Sequence, residues 1–281
     1  TIGTAQLAYT YGMSAWWFTL GAGIGCLILA VGFVAPLRRS SCTTITSLIS
    51  NEYGKKVGVM ASILSAVGIF INIIAQLMAA MALVTTVFPN LNSFIATAVA
   101  MLLMALYVIF GGVWGTGLVG IVKLILLYLA VILGGVISSV LSGGFSTMYN
   151  ILEHGTFFNL FARGFGVDAG AGLSLILGVL STQTYAQAVM SGRDDNAARK
   201  GALISAVMIP PIGVGGILVG LFMRISYPEI VAKQAFPLFV LNHMPPLVGG
   251  IVLSTLFIAV VGTGAGLSLG ISTIISQDIF S

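Results

Sequence analysis

The chain has 281 residues, of which 58% are hydrophobic and only 6% are charged. An ordinary soluble domain carries roughly 25% charged residues, so the main solvent of this chain is predicted to be a lipid bilayer. The 36 glycines agree with this, because glycine lets membrane helices pack closely and bend. The net charge of +4 comes from basic residues scattered among loops and does not indicate a nucleic-acid partner.

Seven stretches are long and apolar enough to cross the bilayer, since a span needs about 20 mostly apolar residues. They are predicted at residues 14–36, 57–87, 93–112, 113–141, 170–191, 201–223 and 247–276. Residues 1–11 look like the second half of another span, and the boundary in "FGGVWG" (110–115) is the tightest. The predicted fold is an all-α, multi-pass helix bundle in the plasma membrane.

The positions of lysine and arginine predict the orientation, because cytoplasmic loops are enriched in both. With alternating spans, seven basic residues reach one side and three reach the other. Loops 38–56 and 192–200 are therefore predicted to be cytoplasmic, and loops 145–168 and 226–246 to lie outside. The outside loops contain aromatic runs that indicate short interfacial helices capping the bundle, with a role in substrate contact as the alternative.

Polar side chains cluster within four apolar segments, where they normally face a cavity or a partner. The clusters are "TIGTAQ" (1–6), "NIIAQ" (72–76), "STQTYAQ" (181–187) and "VVGTGAGLSLGISTIIS" (260–276). The alternative for a single residue such as Ser268 or Thr273 is a hydrogen bond to a carbonyl of its own helix. Together the four clusters predict a polar pathway through the bundle.

The acidic residues favour transport over enzyme chemistry. All of them are predicted in loops or at span ends: Glu52, Glu153, Asp168, Asp194, Asp195, Glu229 and Asp278. The sequence offers no set of nucleophile, base and acid, so the chain is predicted not to be an enzyme and to use no organic cofactor.

Four segments resemble the solute:sodium symporter family in their order and spacing, and the resemblance covers nearly all of the chain. They are "TIGTAQLAYTYGMSAWWF" (1–18), "YVIFGG" (107–112), "GRDDNAARKGAL" (192–203) and "LSLGISTIISQD" (267–278). The resemblance implies the LeuT-type fold of two inverted five-helix repeats, whose first helix is broken at the midplane. The chain would then be one partial transporter domain, incomplete at both ends, from the second half of core helix one to core helix eight.

The resemblance also implies a sodium site between the broken helix and core helix eight. The matching positions are the carbonyls of Ile2 and Ala259, the position of Gly262 and the hydroxyl of Thr263. Oxygen ligands suit a hard cation such as sodium. The chain departs from the family at Gly262, where serine is usual, so one hydroxyl ligand is missing.

A second departure lies in "GLVGIVKLILLYLAVILGG" (117–135), where Gly120 replaces the family's acid and Lys123 follows one turn later. At about 1.5 Å per residue from Val113, Lys123 is predicted near the bilayer midplane. Three interpretations are open. In the first, the Lys123 ammonium extends toward a cytoplasmic vestibule; in the second, it contacts an anionic part of the substrate; in the third, it occupies the ion position. In the last case transport would be proton-coupled or independent of sodium.

The substrate positions implied by the resemblance carry neutral polar side chains. Gln6 matches a glutamine that contacts sugar in the sugar symporters, and the others are Thr1, Thr4, Asn72, Gln76 and Gln183. We therefore expect a secondary active transporter that moves a small polar solute, neutral or zwitterionic, together with sodium. The alternative from another class is a channel, or a sensor module of this fold within a larger signalling protein.

Overall fold

The computed structural model describes residues 2–40 and 42–279, and their side chains except those of 111–119 and 279. The α-helices are α1 (Ile2–Tyr11), α2 (Trp17–Ile28), α3 (Val34–Arg39), α4 (Ile45–Tyr53), α5 (Lys55–Val87), α6 (Ser93–Leu141), α7 (Phe145–Ile151), α8 (His154–Phe157), α9 (Phe165–Ser181), α10 (Gln183–Met190), α11 (Asp195–Ser226), α12 (Ala235–His243) and α13 (Pro246–Ile274). Turns of 3-10 helix cover Gly12–Trp16 and Ala232–Gln234, and π-helical turns cover Leu29–Phe33 and Ile275–Ile279. Because the described residues contain no strand, the all-α prediction is confirmed.

The described residues contain six helical segments long and apolar enough to cross a membrane. They are Ile2–Arg39, Lys55–Val87, Ser93–Phe110, Gly120–Leu141, Asp195–Ser226 and Pro246–Asp278. The pair α9 and α10, bent by 45° at Thr182, makes a seventh if it is one span. The segment Ile2–Arg39 joins the predicted half-span 1–11 to the span 14–36, and the other segments match the predicted spans. The chain is a multi-pass membrane protein.

The boundary predicted between residues 1–11 and 14–36 falls at Gly12. Its φ of +61° lies in the left-handed region that favours glycine, and this residue follows the end of α1. A side chain there would also collide with the backbone of Phe157 in α8. Gly12 therefore permits both the change of direction and the close approach of α8.

α6 continues as a helix through the boundary predicted near residue 112, although it contains two of the segments that can cross a membrane. Tyr107 and Lys123 would lie about 24 Å apart along a straight helix. The Tyr107 hydroxyl and the Lys123 amine nevertheless both lie within 4 Å of the point where a Cβ on Gly262 would stand. Side chains cannot span that difference, so α6 changes direction between these residues and both parts reach α13.

Small residues let α11 pack against three other helices, α1, α2 and α6. A Cβ on Gly220 would lie 2.5 Å from the carbonyl oxygen of Ala5 and 2.8 Å from the Cβ of Ala8. A side chain on Gly215 would collide with Val131 of α6. These contacts follow the general pattern of membrane helices, in which glycine brings backbones close together.

The loops predicted to lie outside contain short helices, as expected: α7, α8, the turn Ala232–Gln234 and α12. α12 is more deeply placed than an interfacial helix, because Phe236, Phe239 and Val240 are completely buried in the main core cluster. The aromatic run "AFPLFV" therefore packs inside the protein instead of against lipid.

Candidate functional site

A cavity of about 720 Å³ lies among α1, α2, α5, α6, α11 and α13. This volume falls in the range of about 300–1,000 Å³ that small-molecule sites occupy. Its polar lining comes from separate elements of the chain: Gln6, Thr19, Gln76, Lys123, Lys233 and Thr263. Members of three of the four predicted polar clusters therefore meet in one cavity, while the remaining walls are largely apolar.

Helix packing determines which side chains reach this cavity. In α1, Ala5 and Ala8 lie against Gly220 of α11, which leaves Gln6 facing the cavity. In α5, the cavity is lined by Gln76 beside Ala75, Ala79 and Ala82. Residues three and four apart share a helix face, so these alanines form a wall of short side chains that leaves space around the glutamine.

The predicted ion ligands Ile2, Ala259 and Thr263 also line the cavity. The Thr263 hydroxyl donates a hydrogen bond to the Ala259 carbonyl at 2.7 Å, so two oxygens one helical turn apart are neighbours. The hydroxyl oxygen keeps its lone pairs for a cation, because the proton alone is used in this bond. This arrangement fits a small hard cation, which prefers oxygen ligands.

Lys123 reaches α13 at the position where the family usually has serine. Its amine nitrogen lies 3.3 Å from the point at which a Cβ on Gly262 would stand. Gly262 is buried and Lys123 is half-buried. The ammonium group therefore stands beside position 262, on the wall of the cavity that Ala259 and Thr263 also line, and a side chain at position 262 would require it to move.

The family model of the sodium:solute symporter family matches residues 1–281. This chain belongs to the sodium:solute symporter family. A solved structure described as the substrate-bound outward-open state of a Na+-coupled sialic acid symporter has a TM-score of 0.81 and 17% sequence identity to it. The match covers 99% of this chain and 62% of that chain, so this chain spans less than two thirds of the neighbour's length. The similarity confirms the LeuT-type fold.

The search of curated proteins found no match to this chain. Family membership therefore rests on the family model and the fold on the solved structure, and both agree with the resemblance of the four sequence segments. The predicted domain limits, from core helix one to core helix eight, stay a prediction.

Three predicted substrate residues, Thr4, Asn72 and Gln183, lie outside the cavity lining. Thr4 is completely buried, and its hydroxyl has no hydrogen-bond partner within the described part of the chain. Asn72 is exposed, although it lies one helical turn from Gln76. Residues four apart are rotated by only about 40° but lie about 6 Å apart along the axis, so Asn72 falls beyond the part of α5 that lines the cavity. Thr1 lies outside the described residues.

Gln183 serves a different contact from the one that the resemblance suggested. It is 2% exposed, at the first residue of α10 after the bend. Its amide oxygen accepts from the Ile45 backbone N–H at 3.0 Å, and its amide nitrogen donates to the Thr43 carbonyl at 3.0 Å. The bend at Thr182 turns Gln183 toward the loop before α4, away from the cavity lining.

The turn that follows α13 forms hydrogen bonds with the same loop. The Thr44 hydroxyl contacts both carboxylate oxygens of Asp278 at 2.9 Å, and the Thr46 hydroxyl donates to the same carboxylate. We call Thr44, Thr46, Gln183 and Asp278 the inner clamp, because the loop is predicted to be cytoplasmic. Sequence reasoning missed this set, since its members lie up to 234 residues apart.

Lys233 is a cavity residue that sequence reasoning missed. It was assigned to an outside loop, and the structure places its short 3-10 turn against α1 and α5, at the cavity. The available signal was a lone lysine in "VAKQAFPLFV" (231–240), an otherwise apolar lid segment. A lone charge in an apolar run indicates a cavity as well as a loop.

Proposed function

We propose that the chain forms the transport core of a secondary active, sodium-coupled symporter for a small polar solute in the plasma membrane. The observation that carries this proposal is that one cavity joins Gln6 and Gln76 to the oxygens of Ala259 and Thr263. Solute and ion would therefore share the space between α1, α5 and α13. Binding of one would organise the walls that bind the other, which is the basis of coupling.

Each group has a definite role in this proposal. The amides of Gln6 and Gln76 offer both donors and acceptors to a polar solute. The carbonyls of Ile2 and Ala259 and the hydroxyl of Thr263 would hold the sodium ion. Alternating access then requires one closure on each side of the cavity, and the inner clamp and the buried helix α12 are the parts suited to it.

A second candidate follows from the position of Lys123, whose amine lies beside Gly262 at the proposed ion position. Two unit charges 4 Å apart repel by about 4 kcal/mol at an effective dielectric constant of 20. An ammonium that stays in this place would exclude sodium and act as a fixed cation in its stead. Transport would then be proton-coupled or independent of sodium.

The two candidates differ in which gradient drives uptake. A thermal-shift screen of solutes identifies a ligand, because a ligand stabilises the folded state by mass action. Uptake of that solute into proteoliposomes is then measured with sodium and pH gradients imposed separately, for the wild type and Lys123→Gln. Sodium-driven uptake that survives Lys123→Gln supports sodium coupling, whereas sodium dependence that arises only in Lys123→Gln supports the fixed cation. Absence of uptake under every gradient contradicts both.

The substrate role of Gln6 is tested by Gln6→Ala. Loss of a buried hydrogen-bonding partner costs about 1–3 kcal/mol, so the dissociation constant of the solute should rise about 5- to 150-fold. The matched control is Thr255→Ala, since Thr255 is buried in α13 and bonds the carbonyl of Ile251 in its own helix. Equal, small effects of both substitutions on solute binding would remove Gln6 from the site.

A further inference from the structure

The charge of the cavity constrains the solute more tightly than its polar groups do. Among the described lining residues, Lys123 from α6 and Lys233 from the turn before α12 are cationic, and none is acidic. Both side chains are half-buried, and intramembrane lysines normally pair with an anion or a carbonyl. Two cations in one cavity therefore indicate that the cavity binds a negatively charged group.

The acidic side chains of the chain are engaged or exposed elsewhere. Asp168 pairs with Arg163 at 2.6 Å, Asp195 pairs with Arg38 at 2.6 Å, and Asp278 belongs to the inner clamp. The remaining ones are Asp194, which caps α11, Glu153, which accepts from Thr156, and the exposed residues Glu52 and Glu229. The residues outside the description contain no aspartate or glutamate either.

The two lysines serve different parts of the cavity. The amine nitrogen of Lys123 lies 3.3 Å from the point where a Cβ on Gly262 of α13 would stand, close in sequence to the predicted ion ligands. Lys233 comes from a turn that packs against α1 and α5, the helices that carry Gln6 and Gln76. Lys233 is therefore the cavity cation contributed by the element that packs against both glutamine-bearing helices.

We propose that the solute is a hydroxylated monocarboxylate whose carboxylate pairs with Lys233 and whose hydroxyl groups bond to Gln6 and Gln76. Hydroxyl groups both donate and accept, which matches the two halves of a glutamine amide. A zwitterion fits less well, because its ammonium group would meet two lysines and no carboxylate. The sequence-based expectation of a neutral or zwitterionic solute is thus replaced by a net anion.

The pairing would also connect the solute to the outer closure. Lys233 lies two residues before α12, whose aromatic side chains are buried in the core. A carboxylate bound to Lys233 would draw this segment onto the cavity, so that a solute without the negative charge would close it less completely. The inference rests on the proposed transport function for the direction of movement, but not for the binding itself.

Binding of matched acids and amides to the full chain in detergent tests this inference. The probes are gluconate, glucuronate and lactate, each compared with its primary amide, with dissociation constants measured by calorimetry. At least one acid should bind ten-fold or more tightly than its amide. Lys233→Gln should abolish that preference by weakening the acid alone, and Lys233→Arg should retain it. Lys200→Gln, a change of an exposed lysine on α11, is the control and should alter neither constant.

Three results would overturn the inference: amides that bind as tightly as acids, no binding by any acid, or a Lys233→Gln variant that weakens acid and amide equally. Its failure is distinguishable from failure of transport. An acid that binds with the predicted preference but is not taken up into proteoliposomes contradicts the transport proposal and leaves the binding inference intact. Uptake of a neutral solute with no preference for acids supports the transport proposal and contradicts the binding inference.

Discussion

The two sides of the cavity are closed by different kinds of contact. On the side predicted to be cytoplasmic, the inner clamp joins the loop before α4 to α10 and to the end of α13 through side-chain hydrogen bonds. On the side predicted to be outside, the outer lid α12 packs aromatic rings against α11. Phe222 meets Phe239 edge to face at 5.6 Å and His243 at 5.1 Å.

This difference indicates how each side responds to change. Hydrogen bonds weaken steeply with distance and angle, so a small shift of α13 releases the inner clamp in one step. Aromatic packing is less directional and depends on the buried area, so the outer lid can shift while it keeps most of its contacts. Substitutions in the lid should therefore act mainly on stability, and substitutions in the clamp mainly on the balance between conformations.

The largest effect is expected for Phe239→Ala in the outer lid. Phe239 is completely buried, and truncation of a buried phenylalanine costs about 3–5 kcal/mol through lost contacts and a cavity. Thermal unfolding in detergent should show a clearly lower midpoint. Phe94→Ala is the matched control, because Phe94 is 80% exposed at the start of α6. An equal loss in both variants would mean that the lid packs no more tightly than the lipid-facing surface.

Asp278→Ala should have the next largest effect, and it should change the balance between the closed and open conformations of the cytoplasmic side. The substitution removes the shared acceptor of two buried hydroxyls, those of Thr44 and Thr46, at a cost of about 2–3 kcal/mol. The adjacent Cys42, which is half-buried, reports on opening through its rate of thiol labelling. This rate should rise ten-fold or more. Labelling of a Cys42→Ser variant measures the background that comes from Cys26.

Asp195→Ala is the control for the clamp. Asp195 also lies on the predicted cytoplasmic side and pairs with Arg38, but its side chain is 51% exposed. Exposed ion pairs contribute roughly 0–1 kcal/mol. Labelling of Cys42 that accelerates equally in both variants would show that negative charge on this side, and not the clamp, holds the loop closed.

Gln183→Ala should have a smaller effect of the same kind. It removes one donor and one acceptor to the loop backbone at Thr43 and Ile45, at a cost of about 1–2 kcal/mol. Labelling of Cys42 should accelerate, while the ratio of solute affinities for acid and amide stays unchanged. A changed ratio would return Gln183 to the substrate site, as the family resemblance first suggested.

The sequence predicted the spans and the cavity-lining helices well, because hydropathy and local spacing determine both. Gln6, Gln76 and Thr263 were found as polar residues in apolar runs, and the structure places all three at one cavity. Lys123 was found in the same way. Its contact with Gly262 depends on where α6 changes direction, which no local pattern determines.

The inner clamp and Lys233 could not be predicted from local patterns. Thr44 and Asp278 each resemble ordinary loop or helix-end residues, and only the tertiary fold brings them together. The family resemblance implies a substrate role for Gln183, whereas the bend at Thr182 turns it toward the loop before α4. Long-range pairs of this kind need an alignment of relatives or a structure.

The smallest predicted effect is a pH response confined to the outer lid. His243 ends α12, its ring packs on Phe222 and Phe239, and its Nε2 lies 3.3 Å from the Tyr227 hydroxyl. Burial lowers the pKa of His243 from its usual value, which is about 6.5. The closed lid therefore favours neutral histidine, and an opened lid takes up a proton at a higher pH than the closed one does.

The sign of the response follows from this difference in pKa. The contribution of neutral His243 is fully present above about pH 6.5 and is lost as the pH falls through that value toward the lower pKa of the closed lid. Hydrogen exchange of residues 235–243, corrected for the intrinsic effect of pH, should thus accelerate between pH 7 and pH 5. His243→Phe keeps an aromatic ring and should remove the acceleration, whereas His154→Gln, at an exposed histidine of α8, should leave it in place. Acid-induced exchange that persists in His243→Phe would assign the response to another group and leave the lid's packing purely apolar.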